Sequence, residues 1–453
     1  MDKTKKGIWG WAMYDWANSA FATTVMAGFF PIFFKSYWSA GADVNVSTAQ
    51  LGAANSIASL IVALMAPILG AIADKGSAKK KFLIFFAYLG ALMTAGLFLV
   101  QEGNWQMAIF VYIMGIIGFS GANIFYDALL PSVTNEKNID RISGLGFGMG
   151  YLGGGVLFAL NVAMTLFPET FGLDGPAQAV RISFLSVALW WGFFTLFTIF
   201  WVEEKKPEGT MGGIAVIKAG FKQYLDTWKK IRHLQTVSIF LLAYWFYIDG
   251  VDTIIRMAVD YGMSIGFESN DLIIALLITQ FVGFPAAIVF GRLGEKWGVR
   301  KSIYLAIFAY IIITFYGVLM TKPIEFYALA IAIGLVQGGI QALSRSYYSR
   351  LIPKGQEGEF YGFYNMLGKF AAILGPLLIG VVGLTIKGTL GPLASTPEQQ
   401  MAIGQIASRW GIGSVVLLFV IGAILFKFVD EEEGKREAAY IAEIGRASCR
   451  ERV

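Results

Sequence analysis

Histidine and cysteine are almost missing from this chain of 453 residues, which holds one of each, His233 and Cys449. A single cysteine excludes an internal disulfide, and a single histidine excludes a histidine-based metal cluster or proton relay. Charge is scarce as well, at 15% of residues against 56% hydrophobic. So few charged groups cannot cover a soluble surface around that much apolar material, so the medium around most of the chain is lipid. Chemistry here rests on carboxylates, amides and basic groups, and neither a metal nor another cofactor is expected. An enzyme would need a convergent nucleophile and base, and a receptor an outer ligand domain. One boundary histidine, one tail cysteine and short outer loops argue against both.

Crossing the hydrocarbon core as a helix takes about 20 apolar residues. The sequence offers twelve such windows, near 9–34, 49–73, 82–100, 106–129, 142–167, 181–202, 234–258, 270–291, 302–320, 325–348, 359–384 and 403–428. Continuous apolar runs of this length lack the alternation of a β-barrel, and backbone groups in lipid must bond within their own segment. The fold class is therefore an all-α integral membrane protein with twelve transmembrane helices.

Net charge is +5, and the placement of lysine and arginine explains it without nucleic acid. They concentrate in alternate connections and both tails, most densely in 203–233 with Lys205, Lys206, Lys218, Lys222, Lys229, Lys230 and Arg232. On the opposite side the connection at 168–180 carries acids, Glu169 and Asp174. This asymmetry places both termini in the cytoplasm, most naturally at a bacterial inner membrane. In the 203–233 linker, Ile214, Ile217, Phe221, Trp228 and Ile231 alternate with lysines at near-helical spacing, predicting an amphipathic helix on the inner leaflet. The last nine residues, G-R-A-S-C-R-E-R-V, are polar and follow a natural end at E-E-E-G-K-R-E-A-A-Y. They are set aside as non-native.

The chain also repeats itself. G-A-I-A-D-K-G-S-A-K-K-K from Gly70 returns as G-R-L-G-E-K-W-G-V-R-K from Gly291, an offset of 221 that pairs Asp74 with Glu295, Lys75 with Lys296 and Lys79 with Arg300. Leu130-Pro131 matches Ile352-Pro353, and Gly28 matches Gly250. The expected organisation is a six-helix bundle over 1–202, the linker 203–233, a second six-helix bundle over 234–430 and a tail over 431–453. Parallel repeats of this kind place a solute site between the halves near the midplane.

The repeated loop resembles the signature loop of the major facilitator superfamily; Gly298 completes it in the second copy, where the first has Ser77. Y-D-W-A-N-S-A-F (Tyr14 to Phe21), Y-D-A-L-L-P (Tyr126 to Pro131), R-I-S-G-L-G-F-G-M-G-Y-L-G-G (Arg141 to Gly154), Q-A-L-S-R-S-Y-Y-S-R-L-I-P (Gln341 to Pro353) and G-E-F-Y-G-F-Y (Gly358 to Tyr364) are similar to the vacuole-effluxer-like branch, also called the unknown major facilitator family. The resemblance runs to about residue 430. It implies a small-molecule transporter, and through the fungal members amino acids as one substrate class. Residue 151 is tyrosine where antiporter-type exporters show Gly-Pro, so that signature is absent.

Ionisable groups at membrane depth are costly and mark function by default. In span 1, Asp15, Asn18 and Ser19 share a face, Asp15 about six residues or roughly 9 Å from the basic end; it serves substrate, proton or gate, or bonds a basic partner. In span 7, Asp249, Asp252 and Arg256 follow helical spacing, with Gly250 permitting a break in the helix, so Asp249 is either a proton carrier or part of an outer gate. Span 10 presents Gln337, Gln341, Ser344 and Arg345, and Arg345 is expected to pair with Glu295. Asn123 is its counterpart in the first half, and Asp127 then needs another partner. Lys369 near the midplane binds a carboxylate or an anionic substrate group. Gly70, Asp74, Lys75, Gly291, Glu295, Lys296, Gly298, Arg300 and Arg345 are the gating candidates, the alternative being a solvated basic loop. The glycines Gly146, Gly150 and Gly154 suit close helix packing better than nucleotide binding.

Together these features predict a monomeric secondary transporter that works by alternating access and couples to protons or another ion. Its partners are a small-molecule substrate and the bilayer. A uniporter or an exporter of another metabolite is the alternative.

Overall fold

The computed structural model describes residues 3–41, 44–204, 218–220, 222, 234–265, 267, 269–370, 373–393 and 395–450. Among them, eleven helices are long and apolar enough to cross a bilayer. In chain order, spans 1 to 6 are Thr4–Trp38, Gln50–Gly76, Lys79–Leu99, Trp105–Val133, Ile139–Leu166 and Pro176–Trp201. Spans 7 to 10 are Gln235–Ala258, Asp271–Trp297, Val299–Leu319 and Ile324–Leu351, and span 12 is Pro397–Lys427. Between spans 10 and 12 the chain makes its eleventh pass as two helices, Glu357–Phe370 and Leu374–Leu390. A further helix, Glu431–Arg450, follows the last span.

The buried apolar side chains gather in two clusters. One runs from Trp11 to Val202 and the other from Leu234 to Val429, with Ala128 of span 4 reaching into the second. We call the sets around them the first and second half. The end of the bundle where spans 2, 4, 6, 8 and 10 finish is called here the basic end.

Where the halves meet, glycine lets backbones touch. A side-chain carbon at Gly70 would stand 2.0 Å from the Gly358 carbonyl oxygen, and one at Gly291 would stand 2.9 Å from that of Asp140. Both signature glycines thus sit where a span of one half leans on a span of the other, span 2 on the eleventh pass and span 8 on span 5. The glycine run of span 5 serves two neighbours. Gly146, Gly150, Gly153 and Gly154 admit Trp11, Ser19, Trp16 and Thr23 of span 1, while Gly144, Gly148 and Gly155 face Ala287, Ile288 and Gln280 of span 8.

Helical irregularity falls elsewhere than expected. The helix through Gly250 is continuous from Gln235 to Ser264, and Gly250 accommodates the ring of Phe419 instead, 2.8 Å from where its side-chain carbon would be. Span 1 is the wound-open helix: the Phe30 amide bonds Val25 and the Ser39 amide bonds Phe34, both five residues back. Widened turns of this kind recur near functional sites. Most of the linker, including Ile214, Ile217, Phe221, Trp228 and Ile231, lies outside the described residues. The turn at the signature loop carries Ser77 at φ 45°, a left-handed conformation that Gly298 adopts at φ 91° in the second copy.

Candidate functional site

About two turns in from the basic end, Arg345 of span 10 is 2% exposed and surrounded by the other half. Its Nη1 lies 3.1 Å from Asp127 Oδ1 of span 4 and 3.9 Å from Asp15 Oδ2 of span 1. Its Nε donates to Ser143 Oγ and its Nη2 to the Ser143 carbonyl, each at 3.0 Å. Three rings enclose the guanidinium, with Phe147, Trp11 and Tyr126 centred 4.4, 4.8 and 5.2 Å from its central carbon. A planar, delocalised cation suits this cage of ring faces and carboxylates, where the compact ammonium of lysine would not.

The cage is itself braced. Trp11 stacks on Tyr126 at 4.4 Å and donates through Nε1 to the Tyr126 carbonyl at 2.8 Å. The Tyr126 hydroxyl donates to Asp15 at 2.9 Å. Only glycine fits at 146, since a side-chain carbon there would lie 2.6 Å from the Tyr126 hydroxyl and 2.8 Å from the Trp11 ring. From the eleventh pass, Asn365 donates to Asp127 Oδ2 at 3.0 Å, and the Tyr361 hydroxyl donates to the Arg345 carbonyl at 2.9 Å. Ser143 closes the circuit by donating to the Ala342 carbonyl at 2.6 Å. One turn deeper, Asn18 donates to Asn123 at 2.6 Å.

Arg345 therefore bonds Asp127 and approaches Asp15, whereas its expected partner Glu295 is exposed at the basic end. The reason is direction: a helical side chain leans back toward its own N-terminus, and Arg345 so projects into the bundle. Asp127 needed a partner and has two, Arg345 and Asn365. Ser143, Tyr126, Trp11, Phe147 and Asn365 were missed as site residues, although Tyr126 lies in Y-D-A-L-L-P, Ser143 and Phe147 lie in R-I-S-G-L-G-F-G-M-G-Y-L-G-G, and Asn365 directly follows G-E-F-Y-G-F-Y.

A second contact between halves uses the signature loop. Asp74 accepts from the amides of Gly358 and Glu359, each at 2.9 Å, in the first turn of Glu357–Phe370. Its carboxylate supplies the cap and the negative charge that a helix start favours. Lys79 lies 3.0 Å from Asp74 and 2.7 Å from Glu357. Glu295, Lys75 and Lys296 are exposed. Lys80 bonds the Val202 carbonyl at the end of span 6 and Arg300 the Lys427 carbonyl at the end of span 12, at 2.7 and 2.6 Å. The structural counterpart of Arg300 is thus Lys80, not Lys79. The two helices start at Lys79 and Val299, one residue away from the sequence alignment. A third bridge joins Arg350 to Asp140 of span 5 at 2.5 Å and to Glu431 of the last helix at 3.5 Å.

Asp249 sits at the middle of its helix with 0% exposure. It accepts from the amides of Leu374 and Gly375 at 3.0 and 2.9 Å and from Thr253 at 3.1 Å. It caps the second helix of the eleventh pass from the side. Asp252, Gln337 and Gln341 are half-buried and Arg256 exposed. Lys369 is in the first of the two helices, and its side chain lies outside the described residues. The structure thus gathers Asp15, Asp127 and Arg345 into one site, with Asn18 and Asn123 beside it, and places Asp249 apart in a capping position. No group of three or more metal-type ligands occurs among the described residues.

Compared with known proteins, residues 3–50 and 39–385 match the family model described as Vacuole effluxer Atg22 like. The MFS-type transporter YxiO of Bacillus subtilis (strain 168) is 40% identical over 93% of this chain and 94% of its own. Autophagy-related protein 22 of Yarrowia lipolytica is 23% identical over 85% of this chain and 76% of its own. The crystal structure of the human organic anion transporter MFSD10 superposes with a TM-score of 0.66 at 13% identity, covering 94% of this chain and all of that one. The proton:xylose symporter XylE gives 0.63 at 14% identity over 96% of each chain. At these identities both structures speak to the fold alone.

Proposed function

The chain belongs to the vacuole effluxer Atg22-like family and is a multi-pass transporter of the major facilitator fold, and on that premise we propose that it carries amino acids by proton-coupled alternating access. The observation that carries this reading is the buried Arg345, shared between Asp15 and Asp127 of the other half. An arginine does not lose its proton inside a protein, so the exchange of partners falls to the carboxylates. Protonating Asp127 or Asp15 weakens their hold on Arg345, the halves part at the basic end, and the amides of Asn18, Asn123 and Asn365 beside the freed charges offer bonds to a zwitterion. Re-ionisation draws the halves together again. The basic end is the cytoplasmic one, with both termini there, as the distribution of lysine and arginine supports.

The test is uptake of a radiolabelled mixture of the common amino acids into proteoliposomes, with a pH dye trapped inside. Saturable uptake accompanied by proton movement is expected. Saturable uptake with no proton movement indicates the uniporter alternative, and no uptake of any component rejects the substrate class.

A further inference from the structure

Tyr151 belongs to span 5, yet its ring rests on the second half. A side-chain carbon at Gly283 of span 8 would lie 2.8 Å from its Cδ1 and 2.9 Å from its Cγ, and one at Gly338 of span 10 would lie 2.6 Å from its Cε2. The ring is 7% exposed. It is wedged between two glycines that come from different spans and leave open the volume that any other residue would fill. The rest of this face of span 5 is smooth, with Gly144, Gly148 and Gly155 laid against span 8. Tyr151 is a large projection from a flat surface, and Gly283 with Gly338 form its socket.

Position adds to the case. Tyr151 is twelve residues from the start of span 5 at Ile139, roughly 18 Å into the bundle at 1.5 Å per residue, close to the bilayer midplane. Its hydroxyl is within Coulombic range of Asp15 in one half and Asp252 in the other. Tyr151 therefore carries a contact between the halves at the depth of the membrane midplane, from span 5 to spans 8 and 10. Close packing of this kind has two arrangements and little in between, because a ring is either seated or out.

We propose that Tyr151 is a positioning residue of the transport cycle: seated between Gly283 and Gly338, its ring holds the halves in the arrangement with the basic end closed, and it leaves the socket when that end opens. The inference rests on alternating access. It assigns to the ring, and not to the hydroxyl, a bias on the equilibrium between the two arrangements, since a contact made in only one state favours that state.

The experiment replaces Cys449 by serine and attaches spin labels to the full-length chain at Lys81 and Lys296. Both are exposed at the basic end, one in each half. Pulsed EPR then reads the populations of short and long distances, with the protein alone and with the amino-acid mixture. Gly283→Ala sets a methyl against the seated ring, and a several-fold rise in the long-distance population is expected. Tyr151→Ala removes the ring and shifts the populations the same way. Tyr151→Phe leaves them as in the parent.

The double variant Gly283→Ala/Tyr151→Ala matches Tyr151→Ala alone, because the three atoms nearest a side-chain carbon at Gly283 all belong to the Tyr151 ring. Gly338→Ala, whose methyl would also stand 2.9 Å from the Ala287 side chain, gives a second reading of the socket should Gly283→Ala fail to fold. An effect of Gly283→Ala that is the same with and without Tyr151 overturns the proposal, as does a Tyr151→Ala distribution equal to the parent. A parent chain that shows one fixed distance under every condition overturns alternating access itself, and the proposal with it.

Discussion

Asp127 and Arg345 are 218 residues apart in the chain and 3.1 Å apart in space. They join span 4 to span 10, and Asn365 joins the same carboxylate to the eleventh pass at 3.0 Å. A single carboxyl group thus ties three spans from two halves. Removing one partner of a buried ion pair leaves the other charge uncompensated, at about 3–5 kcal/mol. Arg345→Gln is expected to lower the melting temperature in detergent and to abolish proton-coupled uptake. Asp127→Asn alone is expected to do the same, and the double variant to be more stable than the sum of the two losses implies, because neither charge is then stranded. Strict additivity in thermal unfolding speaks against a coupled pair.

Asp249 is assigned a capping role, and the two substitutions that separate cap from charge are asparagine and alanine. Asparagine caps helices nearly as well as aspartate, while alanine costs about 0.5–2 kcal/mol. Here each carboxylate oxygen accepts from an amide, so Asp249→Asn sets an NH2 against one of those amides and should cost about 1–3 kcal/mol while keeping proton-coupled uptake, with Asp249→Ala at least as unstable. Gly375→Ala should be worse than either, since its methyl would lie 1.8 Å from Thr253 Oγ1. Loss of proton coupling in an otherwise stable Asp249→Asn protein returns Asp249 to the transport machinery.

The two signature loops look alike in sequence and differ in the structure. Asp74 caps a helix of the opposite half and pairs with Lys79, whereas Glu295 is exposed. Asp74→Asn gives up charge-assisted bonds and should cost about 2–3 kcal/mol. Glu295→Gln should stay within about 0.5 kcal/mol of the parent. Equal effects on thermal stability contradict this asymmetry.

Ser77 adopts a left-handed conformation that costs a non-glycine residue about 1–2 kcal/mol. Glycine relieves that strain but loses more backbone entropy on folding, by about 0.5–1 kcal/mol. The net expectation for Ser77→Gly is a small rise in melting temperature with uptake unchanged. A fall in melting temperature means that the serine side chain contributes more than its strain removes.

Much of this was legible in the chain. Apolar windows longer than the bilayer core marked the spans, and the repeat at Gly70 and Gly291 marked the duplication, because both are written in local residue patterns. Glycines spaced by four along span 5 pointed to close packing for the same reason. Partner choice was not legible. Glu295 lies near Arg345 by loop position, but the direction of an arginine on its helix and the approach of span 4 are properties of the assembled bundle. Gly250 invited a break that its helix does not make, since Phe419 fills the space that glycine leaves. The eleventh pass starts a new helix at Leu374, with Gly375 and Pro376 in its first turn, under the Asp249 carboxylate. Nothing near Leu374 in the sequence announces a carboxylate from 125 residues away.

The central claim is that the cluster around Arg345 seals the basic end. Ser19 lies one turn of span 1 deeper than Asp15, and Ser19→Cys in a Cys449→Ser chain places one thiol behind the seal. Its reaction rate with a membrane-impermeant thiol reagent added from the basic face is the direct test. The rate should be slow while Arg345 is present. In Arg345→Gln it should rise by at least about a hundredfold, since each 1.4 kcal/mol is a factor of ten and about 3–5 kcal/mol of closed-state stabilisation is lost. Equal rates in the two proteins would contradict the account.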